Sequence, residues 1–432
     1  MPKVLIISYY WPPAGGSGVQ RWLKFVKYLR DYGWEPVVYT ASNPEAPTFD
    51  ETLIAEIPIG VETIKGKAFE PYSIYKALFG FKRKKIGVGF AGLERKSFFS
   101  KVAVWIRGNL FIPDARMLWI KPSVRKLTKY LLENPVDIIV STGPPHSTHI
   151  IARNLKRKLN IPWVADFRDP WTNIDFYHQL RLTKCADSIH RKMELSVLTE
   201  CDAAVTVTPS WQADFPERFE GKMHVVQNGY DPADFSIEQQ LIIDKDFTIT
   251  HVGVVPPDRN CVNLWTAIAQ LASENSEFKK VLKLRFVGQV DSSVIASLES
   301  LNLMANVEVT GFVSHQKALE YQMSSQVLLL LVNNSPNAKG ILTGKVYEYL
   351  AAKRPILAVG PLGGDLDNLL NETKAGKCLP FDSTSSIREG LQWFWEGYSL
   401  GWGNFNPQEA NRYSRKELTG KMVSIFNDLI KK

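Results

Sequence analysis

Almost from end to end, the chain alternates between short runs of aliphatic residues and amphipathic segments of helical period. This alternation is the tightest constraint on its fold, because parallel strands are joined only by crossovers long enough to hold a helix. In the first half the strand-type runs are Val4–Ser8, Pro36–Thr40, Asp137–Ser141, Pro162–Ala165, Ala203–Val207 and His224–Gln227. Helical periods separate them. Val19–Tyr32 places Trp22, Val26 and Leu29 on one face, and Thr148–Leu159 and Ser188–Thr199 follow the same pattern. After Asn228-Gly229 the chain turns polar, and a second series begins with Phe247–Val252, Lys283–Val287, Asn306–Val309, Val327–Val332 and Pro355–Val359. The expected class is therefore α/β, with two doubly wound parallel-sheet domains at 1–235 and 236–405. A final helix within 406–432 is free to pack back on the first domain. A length of 432 residues suits two cores, since single cores stop growing at roughly 250 to 300 residues.

Composition narrows the setting. A chain that is 45% hydrophobic and 22% charged has the balance of a globular protein, not of a disordered or fibrous one. The four cysteines, Cys185, Cys201, Cys261 and Cys378, have neither disulfide-framework nor zinc spacing. The first apolar run is too short for a signal peptide, and no segment reaches the ~20 apolar residues of a spanning helix. A cytoplasmic protein is expected, free or peripheral on the inner face of the membrane.

The net charge of +8 is unevenly distributed: residues 1–240 hold 32 Lys and Arg against 25 Asp and Glu, and the rest 20 against 19. Within residues 65–129, 16 basic residues face only Glu70, Glu94 and Asp114, with Phe79, Phe81, Phe90, Phe98, Phe99, Trp105, Phe111 and Trp119 threaded through them. Cations mixed with aromatics suit an anionic membrane surface. A solvated basic face with buried aromatics is the plainer alternative, and nucleic acid is not expected as a partner.

Several loops carry chemistry. Gly15-Gly16-Ser17-Gly18 lies between the first strand and a helix, where glycines permit close approach and free helix-start amides favour an anion; a simple tight turn is the alternative. It is not a dinucleotide fingerprint, because position 21 is Arg21. The G-x-G-x-x-G spacing at Gly87–Gly92 follows Lys82-Arg83-Lys84-Lys85, not a strand, and reads as chance. In the second half, Thr343-Gly344-Lys345 opens a helix after a strand, with Glu348 one turn on, so amides and an ammonium can hold a diphosphate while the carboxylate accepts from sugar hydroxyls. Arg259 closes the loop after the first strand of the same domain, and both loops lie at carboxyl ends of strands, where open parallel sheets bind ligands.

With these motifs the chain resembles glycosyltransferase family 4, over nearly its whole length. The resemblance implies a GT-B fold of two facing domains, a nucleoside diphosphate sugar as co-substrate with no other cofactor, and retention of anomeric configuration. Glu348 matches the second glutamate of the family's E-x7-E motif, which holds the ribose. The first falls on Gly340, and the family's Gly-Arg loop reads Gly253-Val254 here, so the phosphate grip rests on Arg259, Lys345 and the helix start. Gly311, Phe312 and Val313 are expected beside the base, with Thr343 and Gly344 at the diphosphate and Gly16 near the donor phosphate or the acceptor. Arg168 stands about where the family often carries a histidine.

Asp166-Phe167-Arg168-Asp169 follows a buried strand, so Asp166 or Asp169 can orient or deprotonate an acceptor hydroxyl and Arg168 can meet phosphate; a structural Arg/Asp network is the alternative. His146, after another strand, points toward the same edge. Two Asp-x-Asp spacings, at Asp244 and Asp246 and at Asp365 and Asp367, are poorly placed for a metal, and none is expected. The combined expectation is a metal-independent hexosyltransferase that modifies a glycan or lipid-linked acceptor of the cell envelope. Its rivals are a nucleotide-sugar epimerase of the same fold and a non-catalytic membrane-surface subunit derived from a transferase.

Overall fold

A computed structural model describes residues 1–46, 48–69, 98–174, 177–236, 242–402 and 405–431. The tetrabasic run at 82–85 and the glycine pattern at 87–92 lie outside the described residues. The chain forms two compact units, one of residues 1–227 with 415–432 and the other of residues 228–414. The break falls somewhat before the expected residue 235.

The first unit is a parallel sheet ordered β3-β2-β1-β4-β5-β6-β7, comprising Lys3–Ile7 (β1), Glu35–Ala41 (β2), Glu62–Gly66 (β3), Ile138–Gly143 (β4), Trp163–Phe167 (β5), Ala203–Thr206 (β6) and Met223–Val225 (β7). Its central strands are buried on both faces, as a doubly wound sheet requires, and so read as unbroken aliphatic runs. Direction reverses between β1 and β4, so the loops after these two strands open a crevice at the sheet's carboxyl edge. The glycine loop and the His146 loop are those two loops.

Two elements of this unit were not among the expected ones. Glu62–Gly66 is a strand although its sequence, ETIKG, is polar, because it pairs only on one side, with β2. Residues 117–133 form a helix with Pro122 inside it, in its second turn, where the ring removes the hydrogen bond that an N–H there would make to the Leu118 carbonyl. The next helix, Ser147–Leu159, begins on Asp114: its carboxylate accepts from the Ser147 N–H at 2.8 Å and the Ser147 hydroxyl at 2.7 Å. One of the three acids of the basic stretch is thus spent on capping.

The last helix, Arg415–Ile430, packs on the helix Ser17–Leu29 of the first unit, burying Leu418, Met422 and Phe426 beside Val4, Ile6 and Trp22. Phe426 meets Trp34 edge-on at 5.2 Å, and the Trp34 indole donates to Asn427.

The second unit is a parallel sheet ordered β10-β9-β8-β11-β12-β13: Phe247–Val252 (β8), Leu282–Val287 (β9), Val307–Val309 (β10), Val327–Leu331 (β11), Ile356–Val359 (β12) and Gly376–Leu379 (β13). Its reversal lies between β8 and β11, so the Gly253–Arg259 loop and the Asn333–Lys345 segment leave adjacent strands at the carboxyl edge. The helix Gly344–Ala351 buries Val346, Tyr347, Tyr349 and Leu350, which leaves Lys345 and Glu348 on its other side.

Candidate functional site

In the second unit the sequence brings two cations together, Lys345 and Arg259, and among the described residues neither has an ion-pair partner, although Glu348 and Asp258 act on them through space. Gly253 sits at φ +118, and a side chain there would collide with the Lys345 ammonium. Only glycine allows the approach. Lys345 has no hydrogen-bond or ion-pair partner among the described residues. Burial, with repulsion from Arg259 added, pushes its ammonium down to about 8. Arg259 is anchored through Nε to the Asn333 side-chain oxygen at 2.5 Å, and burial lowers its pKa as well. Anchoring by Nε leaves the terminal nitrogens of the guanidinium fork for an external acceptor.

Around this pair, Thr343 starts the helix Gly344–Ala351 without capping it, and its buried hydroxyl oxygen has no partner among the described residues. Gly344 has open space where a side chain would stand. The helix therefore presents uncapped amides and a free hydroxyl on the side of Lys345, the combination that suits phosphate. Glu348 accepts from the Gln322 amide at 3.0 Å. Beneath Lys345, His251 donates through Nδ1 to the Leu329 carbonyl at 3.0 Å, and burial followed by the Lys345 charge brings its imidazole to about 3. It is neutral, so it adds no further positive charge. Gly311, at φ +73, and Phe312, 78% exposed, form a turn after β10, while Val313 packs into the core beneath. Gly340, where the resemblance would put a glutamate, is buried in a short turn, which leaves the cations still less compensated.

The carboxyl edge of the first unit is arranged differently. Asp166 is fully buried and its oxygens are taken: Arg21 donates at 2.8 and 3.1 Å, the Trp22 indole at 2.7 Å and the Thr142 hydroxyl at 3.0 Å. Burial would raise this carboxyl, but the Arg21 charge and the three donors outweigh it and hold the group below its usual range. The expectation that Asp166 deprotonates an acceptor is corrected: the carboxylate is the buried counter-ion of Arg21. Arg168 donates to the Gly18 carbonyl at 2.9 Å and to the Pro144 carbonyl at 3.4 Å, and lies 3.8 Å from Asp169. It braces the glycine loop instead of facing outward as a free cation. Gly16, at φ +96, precedes a helix with no side-chain cap and has open space about it.

His146 lies flat on Trp171, with ring centres 4.4 Å apart, and near His149 at 5.8 Å. Burial, then the charges of His149, His190 and Arg168, drive its pKa well down, so it is a neutral ring whose Nδ1 has no hydrogen-bond partner among the described residues. His149, held by the Ser141 hydroxyl at 2.8 Å, is likewise neutral, brought by burial to about 3. Of the acidic cluster, Asp169 alone keeps appreciable exposure.

The aspartate pairs are otherwise engaged. Asp244 pairs with Arg285 at 2.7 Å, Asp246 with Lys283 at 3.2 Å, and Asp367 accepts from the Gly363 N–H at 2.8 Å and the Asn371 amide at 3.0 Å. Among the described residues no group of three or more His, Cys, Asp or Glu could hold a metal ion. No described helix is long and apolar enough to cross a membrane.

The sequence reading found Lys345, Arg259 and Glu348 but missed their supports: Asn333, Gln322 and Gly253 as the seat of the ammonium. A glycine closing a strand was the available signal at position 253. Nothing local marks Asn333 or Gln322.

Comparison with known proteins places this arrangement. Residues 17–234 match the profile of "Glycosyltransferase Family 4", just over half the chain, and residues 233–400 match "Glycosyl transferases group 1". No match was found among curated proteins. Among solved structures, Anabaena HepE in complex with UDP aligns with a TM-score of 0.62 at 13% identity, covering 99% of this chain and 100% of that one. WaaG, a glycosyltransferase involved in lipopolysaccharide biosynthesis, aligns with a TM-score of 0.55 at 15% identity over 98% and 99% of the two chains. UDP-GlcNAc 2-epimerase from Neisseria meningitidis, bound to UDP-GlcNAc, aligns at 0.54 and 13% over 99% and 100%. Likenesses at such identities establish the two-domain GT-B fold, which transferases and an epimerase share. The sequence match goes further: the chain belongs to glycosyltransferase family 4.

Proposed function

We propose that the chain is a retaining, metal-independent transferase that moves a sugar from a nucleoside diphosphate sugar to a glycan or lipid-linked acceptor of the cell envelope. The observation that carries this reading is the half-buried Lys345 ammonium over Gly253, beside Arg259 and with no ion-pair partner among the described residues. A site with two cations and uncapped amides is complementary to a diphosphate, most of all as it departs and gains charge. In the reaction the bond from the anomeric carbon to the β-phosphate oxygen breaks, one to the acceptor oxygen forms, and the acceptor hydroxyl's proton passes to the departing diphosphate. Lys345 and Arg259 hold the leaving diphosphate, Glu348 accepts from the ribose, and Phe312 borders the base. Within the first unit Asp169, partly exposed beside Arg168, is the carboxylate assigned to orient an acceptor hydroxyl. Retention is what family membership implies.

Work at the inner face of a membrane is supported by the helix Phe98–Leu110, which exposes Val102, Trp105 and Leu110, an apolar set inside the basic stretch. The decisive experiment is isothermal titration with nucleoside diphosphates and their sugars, followed by turnover with and without EDTA. Failure of every nucleoside diphosphate to bind ends the donor reading, and activity lost to EDTA and restored by manganese or magnesium ends metal independence. Release of an isomerised nucleotide sugar without acceptor would assign the chain to epimerisation.

A further inference from the structure

On the outer face of the first unit, between the helices Met117–Glu133 and Ser147–Leu159, runs a groove of about 610 Å³ lined by five cations and no acid. Lys121, Arg125 and Lys129 succeed one another at four-residue intervals along one face of the first helix, a rise of about 6 Å per step. Val124 contributes aliphatic floor, and Leu132, 72% exposed, stands beyond Lys129 at the far end. Arg157 and Lys158 come from the last turn of the second helix.

Local structure explains only part of this charge. Arg157 is held by Glu200 through two hydrogen bonds of 2.6 Å, and Lys158 suits the negative end of its helix. Lys121, Arg125 and Lys129 have no hydrogen-bond or ion-pair partner among the described residues. Like charges four residues apart destabilise the helix that carries them, and Lys121 lies in its N-terminal half and Arg125 at its midpoint, where its dipole offers a cation nothing. Among the described residues these charges find no partner.

The groove's shape selects among anions. It is concave, whereas a planar bilayer presses on convex surfaces. No aromatic side chain lines it, so it lacks the stacking platform on which single-stranded nucleic acid depends. A ladder of cations one sugar-length apart over an aliphatic floor matches a linear acidic polysaccharide with about one anionic group per residue.

We infer that this groove binds a linear acidic glycan. Both helices start at the carboxyl edge of the sheet, so the Lys121 end of the groove lies toward the glycine and His146 loops and the Lys158 end away from them. A bound chain would extend from that edge down the flank of the unit. Its identity as the acceptor rests on the transferase reading, whereas the binding itself does not.

The test uses fluorescence anisotropy of the full chain with labelled alginate oligomers of defined length, and with neutral dextran oligomers, an oligonucleotide and anionic vesicles as competitors. Alginate should bind more tightly as it lengthens to span the three cations, and the affinity should fall with salt. Lys121→Gln, Arg125→Gln and Lys129→Gln together should weaken alginate at least tenfold and flatten the salt dependence while leaving nucleoside diphosphate affinity unchanged. All three positions are exposed, and a matching circular dichroism spectrum confirms folding. Equal binding of alginate and dextran, wild-type affinity in the folded triple variant, or displacement by oligonucleotide or vesicles in preference to unlabelled alginate at equal charge would each overturn the inference. Groove-dependent alginate binding by a protein that ignores every nucleoside diphosphate would keep this inference and sink the donor reading instead.

Discussion

The carboxyl edges of the two sheets have the same topology and opposite electrostatics. At the first, the titratable groups at the strand ends, Asp169 apart, are satisfied internally or neutral among the described residues: Asp166 closes on Arg21, Arg168 donates to carbonyls, and His146 and His149 are uncharged. At the second, Lys345 and Arg259 face each other's charge with no ion-pair partner among the described residues, Glu348 and Asp258 offsetting them only through space. The comparison teaches that a crevice at a switch point is only an opportunity. What the loops leave unpaired decides which crevice is built for charge brought from outside.

The largest effect should come from unbalancing the closed edge. Asp166→Ala leaves the Arg21 guanidinium buried without its counter-charge, a change that costs about 3–5 kcal/mol. A urea midpoint close to wild type would show that the first edge is not held by this pair.

Next come the open-edge cations. Lys345→Ala and Arg259→Ala should each lower nucleoside diphosphate affinity by about 1.5–3 kcal/mol, the worth of a charge-assisted contact, while leaving stability little changed or slightly raised. Titration calorimetry with parallel denaturation measures both. Two variants with intact affinity would erase the contrast between the edges.

A pH profile sharpens the same point. Because the folded Lys345 titrates near 8, below an ordinary lysine, its contribution to stability is unfavourable below pH 8 and improves as pH rises from 8 toward the usual lysine value. Binding a diphosphate should reverse the shift, so affinity should fall as pH climbs through 8 to 9 and complex formation near pH 8 should take up protons. Calorimetry in two buffers of different ionisation enthalpy detects the uptake. Lys345→Met should abolish it.

The smallest effect expected is at Glu348. Glu348→Gln should weaken a nucleoside diphosphate by about 1 kcal/mol and leave pyrophosphate binding almost untouched, since only the former offers sugar hydroxyls. Equal losses for both ligands would remove the ribose contact.

Most of the fold was legible because central parallel strands, buried on both faces, announce themselves as aliphatic runs. The two strands that escaped, Glu62–Gly66 and Gly376–Leu379, lie at or next to the sheet borders and are short and polar. Helix 117–133 was hidden by its own cations and Pro122. At the site, Lys345 and Arg259 were visible as basic residues at strand-end loops. The meaning of Asp166 was not, because it depends on Arg21, 145 residues away in sequence, and a partner at that separation leaves no local pattern. Gly253 likewise gains its role only when Lys345 arrives over it.

The packing of residues 415–430 against the first sheet has a consequence for synthesis. The second unit is, topologically, an insertion: residues 228–414 are continuous, whereas the first unit is divided between the two ends of the segment that encodes it. Domains tend to fold as they emerge during synthesis. Here the half made first cannot complete its core until the final helix delivers Leu418, Met422 and Phe426, by which time the half made second has been whole for some while. A stop codon near position 414 would therefore injure the opposite end of the polypeptide, leaving intact the unit it immediately follows.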